Sequence, residues 1–254
     1  MKFILSGLMG LCMVLIGQSA PASAVTERQQ DEPQGISFYV LRVIYPEKAK
    51  KGVTLTANNK TPNVYLMQSW IQPVDPTTGN ALLQHDGQNP MPFIVTPPLQ
   101  RLEPGHALTL RIRRAGSELP EDRESVFFVS LKAIPLQQEK QDLATQNLTL
   151  TVVSNLKLFY RPMGLSPRAV ADVAHQLRFR REGEALIADN PTPYWLTFSR
   201  LKVGDHSLDK ANLRLMVPPK GQQRYPLPAE NRGAVLWQLI DEDGWDTPWQ
   251  RQIL

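Results

Sequence analysis

At 254 residues, with 28 basic and 24 acidic side chains and a formal net charge of +4, the chain is only mildly basic. That falls well short of the balance a nucleic-acid-binding surface needs. Its one cysteine, Cys12, lies in an N-terminal apolar run, which excludes a disulfide framework, a thiol nucleophile and a thiolate metal site from everything downstream.

Lys2 precedes an apolar stretch from Phe3 to Ile16, and Ala22-Ser23-Ala24 follows as a small-x-small cleavage pattern. Residues 1–24 therefore read as a secretory signal peptide, cut after Ala24. The run is short for a bilayer span, so no membrane insertion of the mature chain is expected. Leu11 stands before Cys12, where a lipidation signal needs a small residue. The polar residues 25–35 read as a mobile tail.

From Ile36 the signal is short β-rich runs broken by Pro, Gly, Asn and Asp: Ile36–Tyr45, Val53–Ala57, Val64–Ile71, Phe93–Val95, Ala107–Arg113, Val126–Ile134 and Leu148–Tyr160. Such a run of strands without helical period predicts an immunoglobulin-like sandwich over residues 36–162. Pro162-Met163-Gly164-Leu165-Ser166-Pro167 reads as a linker, and Ser166–His175 has room for one helical turn. Strand patterning resumes at Gln176–Arg180, Ala185–Ala188, Tyr194–Val203, Asn212–Met216, Val235–Ile240 and Trp249–Leu254. Residues 163–254 are expected to form a second sandwich. The fold class is all-β, two tandem immunoglobulin-like sandwiches with a cleft between them.

The tools of an enzyme are missing. The four histidines lie far apart, and no GxSxG elbow, glycine-rich phosphate loop or metal-ligand spacing occurs. No cofactor, metal or catalytic activity is expected. Two cations are more informative. Arg42 sits in a strand apolar on both parities, and Lys157 sits in Lys157-Leu158-Phe159-Tyr160-Arg161-Pro162. A cation embedded among apolar residues needs an anionic partner, and no strand-embedded carboxylate stands beside either one. The strand leading to Lys157 carries an alternating stripe, Leu148, Leu150 and Val152.

These residues, together with Gln68-Ser69-Trp70-Ile71, Thr96-Pro97-Pro98 through Gly105, Leu119 through Ser125 and Asn190-Pro191-Thr192-Pro193-Tyr194, resemble the periplasmic chaperones of the chaperone–usher pathway. The likeness runs from residue 36 almost to the end. It implies a non-enzymatic periplasmic platform that binds pilus or fimbrial subunits by donor-strand complementation and delivers them to an outer-membrane usher. Residues 147–160 would be the donor strand, with Leu148, Leu150 and Val152 filling the subunit's groove. The same resemblance makes Arg42 and Lys157 the pair that binds the subunit's C-terminal carboxylate. It makes Glu124, Arg161 and an acidic residue of the second domain an interdomain salt-bridge network. Glu242 is the positional match, with Asp241 and Asp243 as alternatives.

Since Lys157 has the opposite parity to Leu148, a twist or bulge is expected between them. The short connection Pro135 to Asn147 points to the short-loop class. The isomers of Pro97 and Pro98 are left open. A structural pilus subunit or adhesin is the alternative, weakened by the polar residues 25–34 and the absence of mature cysteine. A sugar-binding or hydrolytic sandwich would need a convergent site that the five scattered tryptophans do not suggest.

Overall fold

The computed structural model describes residues 35–82, 90–116, 118–136 and 151–254. All of them belong to one compact unit, Pro33–Leu254. The signal-peptide reading, the stripe residues Leu148 and Leu150, and nearly all of the short Pro135–Asn147 connection lie outside the described residues.

The first sandwich is built from β1 (Ile36–Phe38), β2 (Arg42–Pro46), β3 (Val53–Asn59), β4 (Tyr65–Gln72), β5 (Phe93–Thr96), β6 (Leu99–Leu102), β7 (Ala107–Arg114), β8 (Ser125–Pro135) and β9 (Val152–Arg161). One sheet has the order β1-β3-β7-β5 and the other β2-β9-β8-β4-β6. Strict alternation drives this assembly. In β7, Leu108, Leu110 and Ile112 turn inward while Thr109, Arg111 and Arg113 face solvent. Inward residues of both sheets meet in a core that includes Leu55, Met67, Leu110, Ile112, Leu131 and Leu158. Each such side chain contributes about 1.5 to 3 kcal/mol of burial energy. At one end of this core Tyr45, Phe93 and Tyr160 pack ring against ring, with centroids 5.1 to 6.1 Å apart.

The expected single strand Ile36–Tyr45 is two strands in two different sheets. β1 pairs with β3, and β2 pairs parallel with β9. The crossover is Tyr39-Val40-Leu41, exposed at 80, 41 and 69%. The apolar character of both parities therefore reflects a strand that changes sheets, not one covered on both faces. The Thr96–Pro97 bond is cis. It turns the chain from β5 in one sheet to β6 in the other, a strand that the proline-rich sequence concealed.

After β9 come a short helix α1 (Val170–Val173) and a 3-10 turn (Ala174–Gln176), where one helical turn was expected. The second sandwich follows: β10 (Arg178–Glu182), β11 (Ala185–Asn190), β12 (Phe198–Val203), β13 (His206–Ser207), β14 (Gly221–Pro226), β15 (Val235–Leu239) and β16 (Gln250–Gln252). Its sheets have the orders β10-β11-β14 and β13-β12-β15-β16, closing on a core that includes Leu177, Leu186, Phe198, Tyr225 and Trp237.

Two expectations fail here. Asn212–Arg214 is a 3-10 turn, because the Asp209 carboxylate accepts from the Asn212 amide at 2.8 Å and captures a backbone donor that a strand would need. Tyr194 and Trp195 precede β12 rather than belonging to it. The buried Asn190 side chain donates to Tyr194 O and accepts from the Thr192 amide and hydroxyl, tying residues 190–194 into a loop.

Candidate functional site

The site lies where the two sandwiches meet and is organised by β9. Its register with β8 is unbroken from Ser125↔Tyr160 to Ala133↔Val152. No bulge therefore separates Val152 from Lys157, while residues 148–150, over which the twist or bulge was also expected, lie outside the described residues. Alternation alone sends Leu156 and Leu158 into the core and turns Lys157 the other way. On its other edge β9 pairs with β2 only from Lys157 onward. Had the chain run straight along β9, residues 37–41 would have matched 152–156. The crossover at Tyr39-Val40-Leu41 diverts them, so the backbone edge of 152–156 is unpaired among the described residues. Val152, 63% exposed, stands at that edge beside a hollow of about 540 Å³ lined by Ile36, Phe38, Tyr65, Met67, Leu131 and Val152, among others.

The free edge ends at two cations. Arg42 and Lys157 are register partners across the parallel β2–β9 pair. Arg42 is buried. Its Nη1 donates to Ile240 O at 2.9 Å, its guanidinium lies 5.4 Å from the Phe159 ring, and its Nε has no partner. Burial lowers its pKa to about 10, against the raising influence of Glu124, Glu242 and Asp241. Burial, and then the neighbouring Arg42, hold the half-buried Lys157 ammonium down at about 7. Of the pair, Arg42 alone feels those acidic residues, and Lys157 has no anionic partner among the described residues. A desolvated cation without an anion is costly, and Lys157, set beside a second cation, bears that cost.

Four residues further along the same strand the charges are satisfied. Arg161 Nε donates to Glu124 Oε1 at 2.7 Å, and Arg161 Nη2 lies 2.8 Å from Glu242 Oε1. Arg161 Nη1 donates to the carbonyls of Ser166 and Pro167, and its guanidinium stacks 4.8 Å from the Tyr194 ring. Glu124 Oε2 accepts from the Trp195 amide at 2.8 Å, and the Glu124 carbonyl accepts from Trp195 Nε1 at 3.0 Å. Glu242 Oε1 accepts from the amides of Ala169 and Val170.

Burial raises the Glu124 carboxyl to about 7 despite the pull of Arg161 and the Trp195 amide. For Glu242 burial also works upward, but the Ala169 amide and Arg161 outweigh it and hold the carboxyl below its usual range. Of the three acidic candidates, Glu242 is the one in contact with Arg161. Asp243 instead forms a forked pair with Arg168, and Asp241 accepts from the amides of Asp243 and Trp245.

Contacts that sequence reasoning missed lie on both sides of this network. Lys220 Nζ reaches Asp122 Oδ2 at 2.7 Å. Leu41 packs on Gly244, whose φ of +92° leaves no room for a side chain facing Leu41. Only glycine suits that backbone at low cost. The Asp122 pair had no local signal, because its halves lie 98 residues apart.

A linked pair of immunoglobulin-like sandwiches, joined by a buried ion network beside a free strand edge, defines the architecture. The family described as "Pili and flagellar-assembly chaperone, PapD N-terminal domain" matches residues 35–166, and "Pili assembly chaperone PapD, C-terminal domain" matches residues 172–250. The chain is 37% identical over 217 residues to "Chaperone protein FimC" of Escherichia coli strain K12, covering 84% of this chain and 82% of that one. It is 39% identical over 197 residues to "Probable fimbrial chaperone LpfB" of Escherichia coli O157:H7, covering 77% of each. Among solved structures, a chain of the Salmonella enterica SafA pilin–SafB chaperone complex superposes with a TM-score of 0.74 at 30% identity, covering 88% of this chain and 98% of that one. The E. coli chaperone DraB superposes with a TM-score of 0.72 at 33% identity, covering 87% and 98%. The chain belongs to the PapD family of pilus-assembly chaperones. It is a chaperone of that pathway and not the structural subunit that its all-β sequence also allowed.

Proposed function

We propose that this chaperone works in the periplasm without catalysis, captures pilus subunits by lending them β9, and hands them to an outer-membrane usher. The observation that carries this reading is the edge of residues 152–156, unpaired among the described residues, running into Arg42 and into a Lys157 that has no anionic partner among them. A subunit strand added to that edge gains backbone hydrogen bonds along it, and its C-terminal carboxylate answers the charges of Arg42 and Lys157. Val152, with Leu148 and Leu150 before it, supplies the apolar stripe. Glu124, Arg161 and Glu242 keep the two sandwiches, 36–162 and 163–254, in the pose that frames the cations. The SafB neighbour, solved with a pilin, supports the choice of partner. Among the described residues no helix is long and apolar enough to cross a membrane and no cluster of metal-ligating side chains occurs.

The experiment is co-expression of Arg42→Ala and Lys157→Ala variants with a pilus subunit, followed by recovery of soluble complex. Both variants are expected to fold, by circular dichroism, and to lose the complex. Normal recovery by both would remove the carboxylate anchor.

A further inference from the structure

We infer that Leu41 and Trp245 form an apolar hood that reads the last side chain of the captured subunit, so that subunits ending in a large apolar residue are held most tightly. The inference rests on the carboxylate-anchor reading. A strand added to the free edge of 152–156 is collinear with β2, because both lie against the same edge of β9. If its terminus is to reach Lys157, it must run parallel to β9, so its end abuts the start of β2 at Leu41–Arg42.

At that point the second sandwich closes in. Arg42 is bonded to Ile240 O, and Leu41 packs on Gly244. The turn between them is closed by its own hydrogen bonds. The Asp241 carbonyl accepts from the Gly244 amide, its carboxylate accepts from the amides of Asp243 and Trp245, and its own amide donates to Trp245 O. This turn holds Trp245 out at 73% exposure, next in the chain to the Gly244 on which Leu41, 69% exposed, packs. Two large, mostly exposed apolar residues from different domains thus stand at the joint where the terminal residue would arrive. Burying a large terminal side chain there adds apolar contact, whereas a polar one gains none.

The probe is a synthetic peptide with a lysine leader and alternating valine and threonine, ending in phenylalanine with a free carboxylate. Companion peptides end in serine, or in phenylalanine amide. Binding is measured on the intact chaperone and on its Leu41→Ser and Trp245→Ser variants, with Lys157→Ala as the anchor control. The expected result is about a tenfold preference for phenylalanine over serine, lost in both hood variants. These keep the preference for acid over amide, while Lys157→Ala loses that preference. Equal binding of the phenylalanine and serine acids, or a preference that survives in the hood variants, overturns the hood and leaves the anchor standing. Equal binding of acid and amide, or no binding of the phenylalanine acid, overturns the anchor and the hood together.

Discussion

Lys157 stands directly across a parallel strand pair from Arg42, so the fold sets two like charges side by side. Among the described residues no anion at Lys157 opposes their repulsion and desolvation, and its ammonium is held at about 7. The charged form of Lys157 is thus disfavoured until an anion is supplied.

Subunit affinity should fall as the medium becomes alkaline. In the free protein Lys157 loses its proton near pH 7, while a bound carboxylate favours the charged form and raises its pKa. Affinity is then full below about 7 and declines above it, by up to about tenfold per pH unit until the bound pKa is reached. Titration of peptide affinity between pH 6 and 9 (roughly the window set by the shifted and ordinary lysine values) checks this. Lys157→Arg should flatten the curve.

Removing that charge should stabilise the free chaperone. A lysine whose folded pKa is depressed binds fewer protons folded than unfolded, so below the unfolded value of 10.5 the native state bears a cost. Lys157→Met should raise stability to urea at pH 7 by about 1 to 2 kcal/mol while abolishing subunit capture.

Breaking the buried network should do the reverse. Glu124→Ala leaves the Arg161 guanidinium, with 2% of its side chain exposed, short of a carboxylate. It also orphans the Trp195 amide. A loss of about 3 to 5 kcal/mol is expected, with Glu124→Gln milder. Urea unfolding followed at Trp70 in the first sandwich and Trp237 in the second should then lose its coincidence, and small-angle scattering should show a broadened particle.

Gly244→Ala should damage the turn twice. Its positive φ disfavours a side chain, and the new methyl group would press on Leu41. A loss of about 1 to 2 kcal/mol is expected, together with weaker capture, because the same turn carries the Ile240 carbonyl that holds Arg42. A variant with native stability and native capture would contradict this.

Sequence pattern revealed strands where alternation was regular, as in β7, and where aromatic and β-branched residues ran together, as in β8. It failed where the cause was tertiary. Nothing local to Phe38-Tyr39-Val40-Leu41-Arg42 says that the chain changes sheets, because apolar residues on both parities suit a covered strand equally well. β14 was hidden by its polar composition, Gly221-Gln222-Gln223-Arg224-Tyr225-Pro226, in which only Tyr225 is buried. Arg42 and Lys157 were visible as misplaced charges, but their pairing in register needs the parallel strands. Glu242 was the positional match with Asp241 and Asp243 left as alternatives, because contact with Arg161 depends on how the turn is folded. Leu41 and Trp245 left no signal, being ordinary apolar residues until two domains bring them together.

Because β9 runs without a bulge from its free edge through Lys157 to Arg161, it is a ruler as well as a ladder. Four residues of extended strand set Lys157 and Arg161 about 13 Å apart, with no loop between them to give. A chain end fastened at the first is therefore held at a constant distance from the joint between the sandwiches, whatever its sequence. Cargoes of different composition would leave this protein in one common pose, so a single receiving surface would serve them all.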